Sequence, residues 1–331
     1  MNKKRVLAML LAGAMALSMT ACGGGNSAST DDSSKDGGAS ASGGSYKVSV
    51  ILKTLAAEYW QYVKSGAEDY ASEHSDKVTV EVKGPSSETA FDEMQNMIET
   101  DLSSGSYDGV IISPLQSDTA AQLVSGTKLP IVAIDTNFEA PEVKSFVGTG
   151  NEAAAKKGGE AAVEAAKAAG WTDIKCIEIA GVQGDQTNTA RMNGYKAGVE
   201  EAGGTFLSDE VQYADATADR ATTAMEAIMQ THPEGIAIIC ANNDDMAMAA
   251  ARAAQGHDAY KNTIFLGFNG DRAACEAILS GQMTMSVAQM AYEMGYKAVE
   301  TMVQVLDGET VDEFVDSGSD VECHRYGDKH K

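Results

Sequence analysis

The sequence predicts an α/β protein built from two doubly wound parallel-sheet lobes. Three observations carry that prediction. Strand-like runs are apolar almost without a break, a helix-like run follows nearly every one, and the whole cycle occurs twice. A strand that is apolar on both faces needs helices on both sides of its sheet, which is the condition of a parallel sheet. The chain has 331 residues, enough for two domains, and 44 % of them are hydrophobic, enough for real cores.

The first set opens with Lys47-Val48-Ser49-Val50-Ile51-Leu52, expected as a strand. Further strands are expected at 78–82, 109–112, 130–134 and 145–147, with helices at 58–74, 91–102 and 119–125. The second set begins with an Ala-rich helix over 152–169, ended by Gly170. A strand at 174–179 follows, then helices at 189–201 and 221–230. Strands at 236–239, 264–266 and 284–288 alternate with helices at 246–254, 271–280 and 293–306. In open sheets of this kind ligands sit beyond the carboxyl ends of the strands. Two facing lobes would therefore hold a ligand in the cleft between them.

Ahead of the folded part, Lys3, Lys4 and Arg5 form a basic start, and 6–17 is an apolar stretch too short to span a bilayer comfortably. Met19-Thr20-Ala21-Cys22 then fits the lipobox pattern of bacterial lipoproteins. On this reading 1–21 is a signal peptide, Cys22 is lipidated, and the mature chain is extracytoplasmic, anchored to the bacterial cell membrane through its N-terminal lipid. The plainer alternative is an ordinary signal peptide with an incidental cysteine. The rest of 22–45 is Gly, Ser, Ala and Asp, expected as a flexible tether because it has too little apolar surface to fold.

Net charge is −23 over the whole chain, and without Lys3, Lys4 and Arg5 only 22 basic residues face 48 acidic ones. Such a surface repels phosphate backbones, so nucleic acid is not an expected partner. The five cysteines form no CxxC pair and do not cluster with histidines, so neither a metal nor another cofactor is expected. Cys176 and Cys240 lie in apolar runs and read as buried thiols, with a disulfide as the alternative. No nucleophile elbow or recognisable carboxylate pair stands out, and the chain is not expected to be an enzyme. Gly148-Thr149-Gly150-Asn151-Glu152-Ala153 formally fits a dinucleotide fingerprint with Glu178 as the later acid, yet an extracytoplasmic protein would meet little such cofactor.

Polar planar groups recur at the expected strand ends. Lys53 follows the first strand and Tyr59-Trp60 open the next helix. Asp135, Arg191, Asn243, Asn269 and Gln289 stand at later strand ends or helix starts. Paired donors and acceptors beside an aromatic face suit a sugar, whose hydroxyls need partners and whose C–H face stacks on a ring. Each residue also has a plainer reading: Asp135 or Asn243 as a helix cap, Arg191 as a surface ion pair, Trp60 as core, Lys53 as a solvated lysine, Asn269 and Gln289 as turn and hinge residues.

The motifs VILKTLAAEYW, IVAIDTN, ARMNGY, CANNDDMAM, FLGFNG and MTMSVAQ, in this order, resemble those of the periplasmic-binding-protein-like sugar binders of the ribose/D-allose type, which feed ABC importers. The likeness spans roughly 46–315. It implies a type I periplasmic binding protein fold, with a hinge of three crossings near Thr149, Gln289 and Ser319. One lobe would comprise 46–149 plus 290–318, the other 150–289 plus 319–331. It also implies that Tyr59 and Trp60 stack on the ligand, that Asp135, Arg191, Asn243, Asn269 and Gln289 bond its hydroxyls, and that Lys53 adds a charged donor. The expected partners are a sugar or polyol and an ABC transporter permease, with a ligand-presenting sensor for a receptor or histidine kinase as the alternative. Several positions depart from the pattern. Ala56, Ala57 and Glu58 replace a polar-polar-Pro stretch, Thr136 replaces an Arg, Ala216 replaces an aromatic and Asn269 replaces an Asp. The tail Glu322-Cys323-His324-Arg325-Tyr326 lacks the usual strand-like ending.

Overall fold

The computed structural model describes residues 45–321; the segments expected as signal peptide and tether, the expected lipidation site Cys22 and the tail from 322 lie outside the described residues. The first sheet begins with β1 (Tyr46–Ile51), β2 (Val78–Lys83), β3 (Gly109–Ile112), β4 (Ile131–Ile134) and β5 (Val143–Gly148). Helices α1 (Glu58–Glu73), α2 (Phe91–Ser104) and α3 (Ser117–Val124) connect the first four strands. Helix α4 (Asn151–Ala168) leads into β6 (Lys175–Ala180) of a second sheet. Next come α5 (Gln186–Glu201), β7 (Thr205–Phe206), β8 (Gln212–Tyr213) and α6 (Ala218–Thr231). The sheet continues through β9 (Ile238–Ala241), α7 (Asp244–Ala254), β10 (Ile264–Asn269), α8 (Arg272–Leu279) and β11 (Met285–Gln289). Helix α9 (Ala291–Leu306) and β12 (Phe314–Asp316) belong to the first lobe, and β13 (Ser319–Asp320) pairs in the second sheet.

Strand order is β2-β1-β3-β4-β5-β12 in one sheet and β7-β6-β9-β10-β11-β13 in the other, with β8 also on β6. Every pairing is parallel except that of β13 with β11. The order reverses at β1 and at β6, so crevices open at the carboxyl ends of these strands. The chain passes between sheets at 149–150, at 290 and at 317–318. The segment with the dinucleotide-like glycines is the first of these passages. Its strand, β5, and the following strand, β6, lie in different sheets, so it is no βαβ unit.

Apolar residues cover both faces of each sheet, as the sequence pattern demands. One face of the first sheet packs Val48, Val50, Ile111 and Val132 against Val63 and Ala67 of α1 and Met294, Val299 and Met302 of α9. Ile51, Ile112 and Ala133 face α2 and α3 on the other side. Helices α1 and α9 touch backbone to backbone through two glycines. A Cβ on Gly66 would lie 2.0 Å from the Tyr292 carbonyl oxygen, and one on Gly295 1.9 Å from that of Val63. In the second lobe Cys176 and Cys240 are buried free thiols on neighbouring strands, with their sulfurs 3.4 Å apart.

Differences from the expected elements are local. The strand expected at 236–239 forms at Ile238–Ala241, and α5 and α6 start three residues earlier than expected. The Asp185 carboxylate accepts from the Asn188 N–H and caps α5, which moves its start to Gln186. The short strands β7, β8, β12 and β13 were not expected. None exceeds three residues, too short for any periodic pattern.

Candidate ligand-binding site

The carboxyl ends of both sheets converge on one cleft. It is lined from the first lobe by Lys53, Ala57, Tyr59, Trp60, Glu88 and Asp135, and from the second by Asn188, Arg191, Ala216, Asn242, Asn243 and Asn269, among others. Seven of the eight residues singled out from the sequence as ligand contacts are on this lining. The eighth, Gln289, stands behind it: its Nε2 donates to Asn269 Oδ1 at 3.0 Å, and its Oε1 is buried without a partner.

On the first wall, Lys53 leaves the end of β1 with only 4 % of its surface exposed. It is therefore not a solvated lysine. Its ammonium pairs with Asp185 of the opposite lobe and lies 3.8 Å from Asp135. Burial pulls its pKa down, but Asp185, Asp135 and Glu88 outweigh that and leave it raised, so the ammonium stays charged. Asp135 adopts φ 61°, a left-handed conformation that costs a non-glycine residue energy. Its carboxylate accepts from the Tyr59 hydroxyl at 2.8 Å and the Thr136 hydroxyl at 2.9 Å. Tyr59 meets Trp60 edge-on, ring centroids 4.9 Å apart, and the Trp60 Nε1–H donates to Glu88 Oε1 at 2.9 Å. Burial raises the Glu88 pKa, against the opposing pull of Lys53 and Trp60. Both rings also belong to the core that α1 and α9 enclose, so Trp60 is at once core and cleft wall.

The second wall is made of amides tied to the backbone. Asn243 caps α7: its Oδ1 accepts from the Met246 N–H at 2.9 Å while its Nδ2 donates to the Ala216 carbonyl at 3.1 Å. Arg191 is 5 % exposed and makes no surface ion pair. Its Nε donates to Asn151 Oδ1 and its Nη1 to the Asn242 carbonyl, both at 2.8 Å. The guanidinium lies 3.9 Å over the Phe268 ring centroid. Beneath it, burial pushes the Glu178 carboxyl up to about 8, against Asn242 and Arg191, so this acid is neutral near pH 7. Asn269 takes φ 144° and donates to Asp271 Oδ2 at 3.2 Å. Ala216, at φ 57°, is a third strained residue on the lining.

Residues the sequence reading did not select also face the cleft: Glu88, Asp185, Thr187, Asn188, Asn242 and Asp245. Glu88 follows β2, and the same strand-end rule that selects Lys53 would have selected it. Asp185 precedes Asn188 by three residues, a helix-start spacing that marks a cap. Among the described residues no group of three or more His, Cys, Asp or Glu could hold a metal ion, and no helix is long and apolar enough to cross a membrane.

Comparison with known proteins agrees with this geometry. The D-allose-binding periplasmic protein of Escherichia coli is 29 % identical over 265 residues, covering 77 % of this chain and 83 % of that protein. The ribose import binding protein RbsB of Bacillus subtilis is 26 % identical over 284 residues, covering 85 % and 88 %. An ABC transporter solute binding protein from Agrobacterium vitis, solved with bound D-fucose, superposes with a TM-score of 0.76 at 23 % identity, covering 86 % of this chain and 97 % of that one. One from Agrobacterium radiobacter, in complex with D-arabinose, gives 0.76 at 24 % identity, covering 84 % and 94 %. The profile of the periplasmic binding protein domain matches residues 48–310, and the chain, with its two parallel-sheet lobes and three passages between them, belongs to that family.

Proposed function

We propose that this chain is the extracytoplasmic solute-binding component of an ABC importer, tethered by a lipid on Cys22, that captures a neutral monosaccharide or polyol between its lobes. The observation that carries this reading is the convergence of Lys53, Tyr59, Trp60, Asp135, Arg191, Asn243 and Asn269 on a single cleft. The names of its relatives, import or periplasmic binding proteins for ribose and D-allose, support the solute class. The lining charges support neutrality: Glu88, Asp135, Asp185 and Asp245 outnumber Lys53 and Arg191, which disfavours phosphate or carboxylate ligands.

In this mechanism each wall supplies part of the hydrogen bonding, so only the closed form satisfies the ligand. Shifting an open–closed equilibrium from 1:99 to 99:1 takes about 5.5 kcal/mol of differential affinity. A micromolar site supplies about 8 kcal/mol in total, so ligand contacts suffice to hold the lobes closed around it. The closed form would then dock on a permease and release its cargo.

A thermal-shift screen of the chain against pentoses, hexoses, polyols and amino acids tests the reading, because a ligand bound only by the folded form raises the melting temperature. A shift with one sugar or polyol is expected; a shift only with an amino acid would overturn the ligand class. Trp60→Ala is expected to weaken binding of that sugar by more than about tenfold through lost stacking area; unchanged affinity would remove Trp60 from the site. Cys22→Ala is expected to move the protein from the membrane to the soluble fraction, and continued membrane association would refute the anchor.

A further inference from the structure

The lobes are joined across the cleft by contacts that pass through no ligand. Lys53, at the end of β1, pairs with Asp185, the residue that caps α5. The Thr136 hydroxyl, just after β4, lies 2.7 Å from that of Thr187 in the first turn of α5. The Thr187 hydroxyl is also 3.2 Å from the Asp135 carbonyl oxygen. At the mouth, the Glu58 carboxylate of α1 accepts from the Ala273 N–H at the start of α8, at 3.3 Å. Lys53, Asp185, Thr136 and Thr187 are all buried, so these partners replace water rather than supplement it.

The space left between the walls is about 40 Å³. That holds roughly three waters. Lys53 and Asp185 both line the cleft and are paired with each other, so a ligand hydroxyl that bonds Lys53 must take it from Asp185. Opening must break Lys53–Asp185 and Thr136–Thr187.

We propose that Asp185 and Thr187 form a latch that grips Lys53 and Thr136 to hold the lobes shut, and that the ligand competes with this latch for the cleft. The competition rests on the cleft being the solute site; the latch itself does not. One of its parts is a departure from the sugar-binder pattern: Thr136 stands where an Arg is expected and here meets a hydroxyl of the other lobe. A lysine held by Asp185 is released to the ligand only when the lobes part, so the latch lowers apparent affinity by the fraction of molecules it keeps closed.

The test compares the full chain carrying Cys22→Ala, for solubility, with the same chain carrying Asp185→Asn and Thr187→Val. Asn keeps an oxygen to cap α5, and Val keeps the shape of Thr, so the fold is preserved. Circular dichroism checks this, and Thr187→Val alone serves if the double variant does not fold. In small-angle X-ray scattering without added solute, the variant is expected to have a larger radius of gyration than its parent. Equal radii would overturn the latch. The sugar or polyol that shifts the parent's melting temperature is then titrated into both, and the variant is expected to bind it about three- to tenfold more tightly. Equal or weaker binding would overturn the competition. If no sugar or polyol shifts the parent, the proposed function fails, while the scattering comparison still decides the latch.

Discussion

The two walls of the cleft solve the same problem in different ways. On the first, Tyr59, Asp135 and Thr136 satisfy one another, Trp60 satisfies Glu88, and Lys53 reaches across the cleft to Asp185. On the second, Asn243 caps a helix, Asn188 Oδ1 accepts from the Gly181 N–H, and Arg191 is held by Asn151, a backbone carbonyl and the Phe268 ring. The amide wall is therefore fixed by the secondary structure that carries it and keeps its shape when the lobes separate. The charged wall owes part of its arrangement to the opposite lobe and changes when they separate. On the proposed function, recognition geometry would reside mainly in the second lobe, and responsiveness in the first.

Three substitutions sharpen that contrast, in decreasing order of effect. Arg191→Leu leaves Asn151 Oδ1 and the Asn242 carbonyl without their donor, and each orphaned buried acceptor costs about 1–3 kcal/mol. Denaturant unfolding is expected to show a loss of about 3 kcal/mol; a loss below about 1 kcal/mol would mean the amide wall is not held by this residue. Gly295→Ala forces α9 away from the Val63 carbonyl of α1 and is expected to cost about 1–3 kcal/mol. It should also weaken ligand binding, because α1 carries Tyr59 and Trp60; undiminished affinity would separate the charged wall from the packing behind it. The smallest effect belongs to His232, at the far end of α6. Burial lowers its pKa, but hydrogen bonds to Glu210 and Glu234 outweigh this and raise it above the usual histidine value of 6.5. Its stabilising contribution is therefore complete below about pH 6.5 and is lost as pH rises through the folded-state value. The melting-temperature difference between the parent and His232→Gln should shrink across that interval, with ligand affinity unmoved at every pH.

The fold was legible because its burial pattern is local. Val48, Val50 and Ile51, or Val110 to Ile112, announce a strand covered on both faces without reference to any other part of the chain. Cleft residues at strand ends, such as Lys53, Asp135 and Asn243, were legible for the same reason. What the sequence concealed is pairing across distance. Asp185 meets Lys53 from 132 residues away, and Glu88 meets Trp60 from 28, and no spacing encodes either. The positive φ of Ala216 was hidden too, since an alanine does not mark a left-handed turn, although Asp215 before it, itself at φ 48°, is a residue type that tolerates one. Strands such as β13, only two residues long and paired to β11, exist only because a distant edge waits for them.

The three passages between the lobes also order events in time. The second lobe, apart from β13, is written as one uninterrupted stretch, from α4 through β11. The first lobe is split around it: the helix that seals Val48, Trp60 and Val132 from water is α9, which begins at Ala291. A chain emerging from its N-terminus therefore completes the inner lobe before the outer one has its lid. The early strands β1 to β5 must wait, with one apolar face covered by α1 alone, for more than a hundred residues of intervening sequence. Such long-range closure slows folding and prolongs exposure of that face. The same connectivity that joins the two lobes by three passages makes the outer lobe the last to form and the one most in need of protection while it waits.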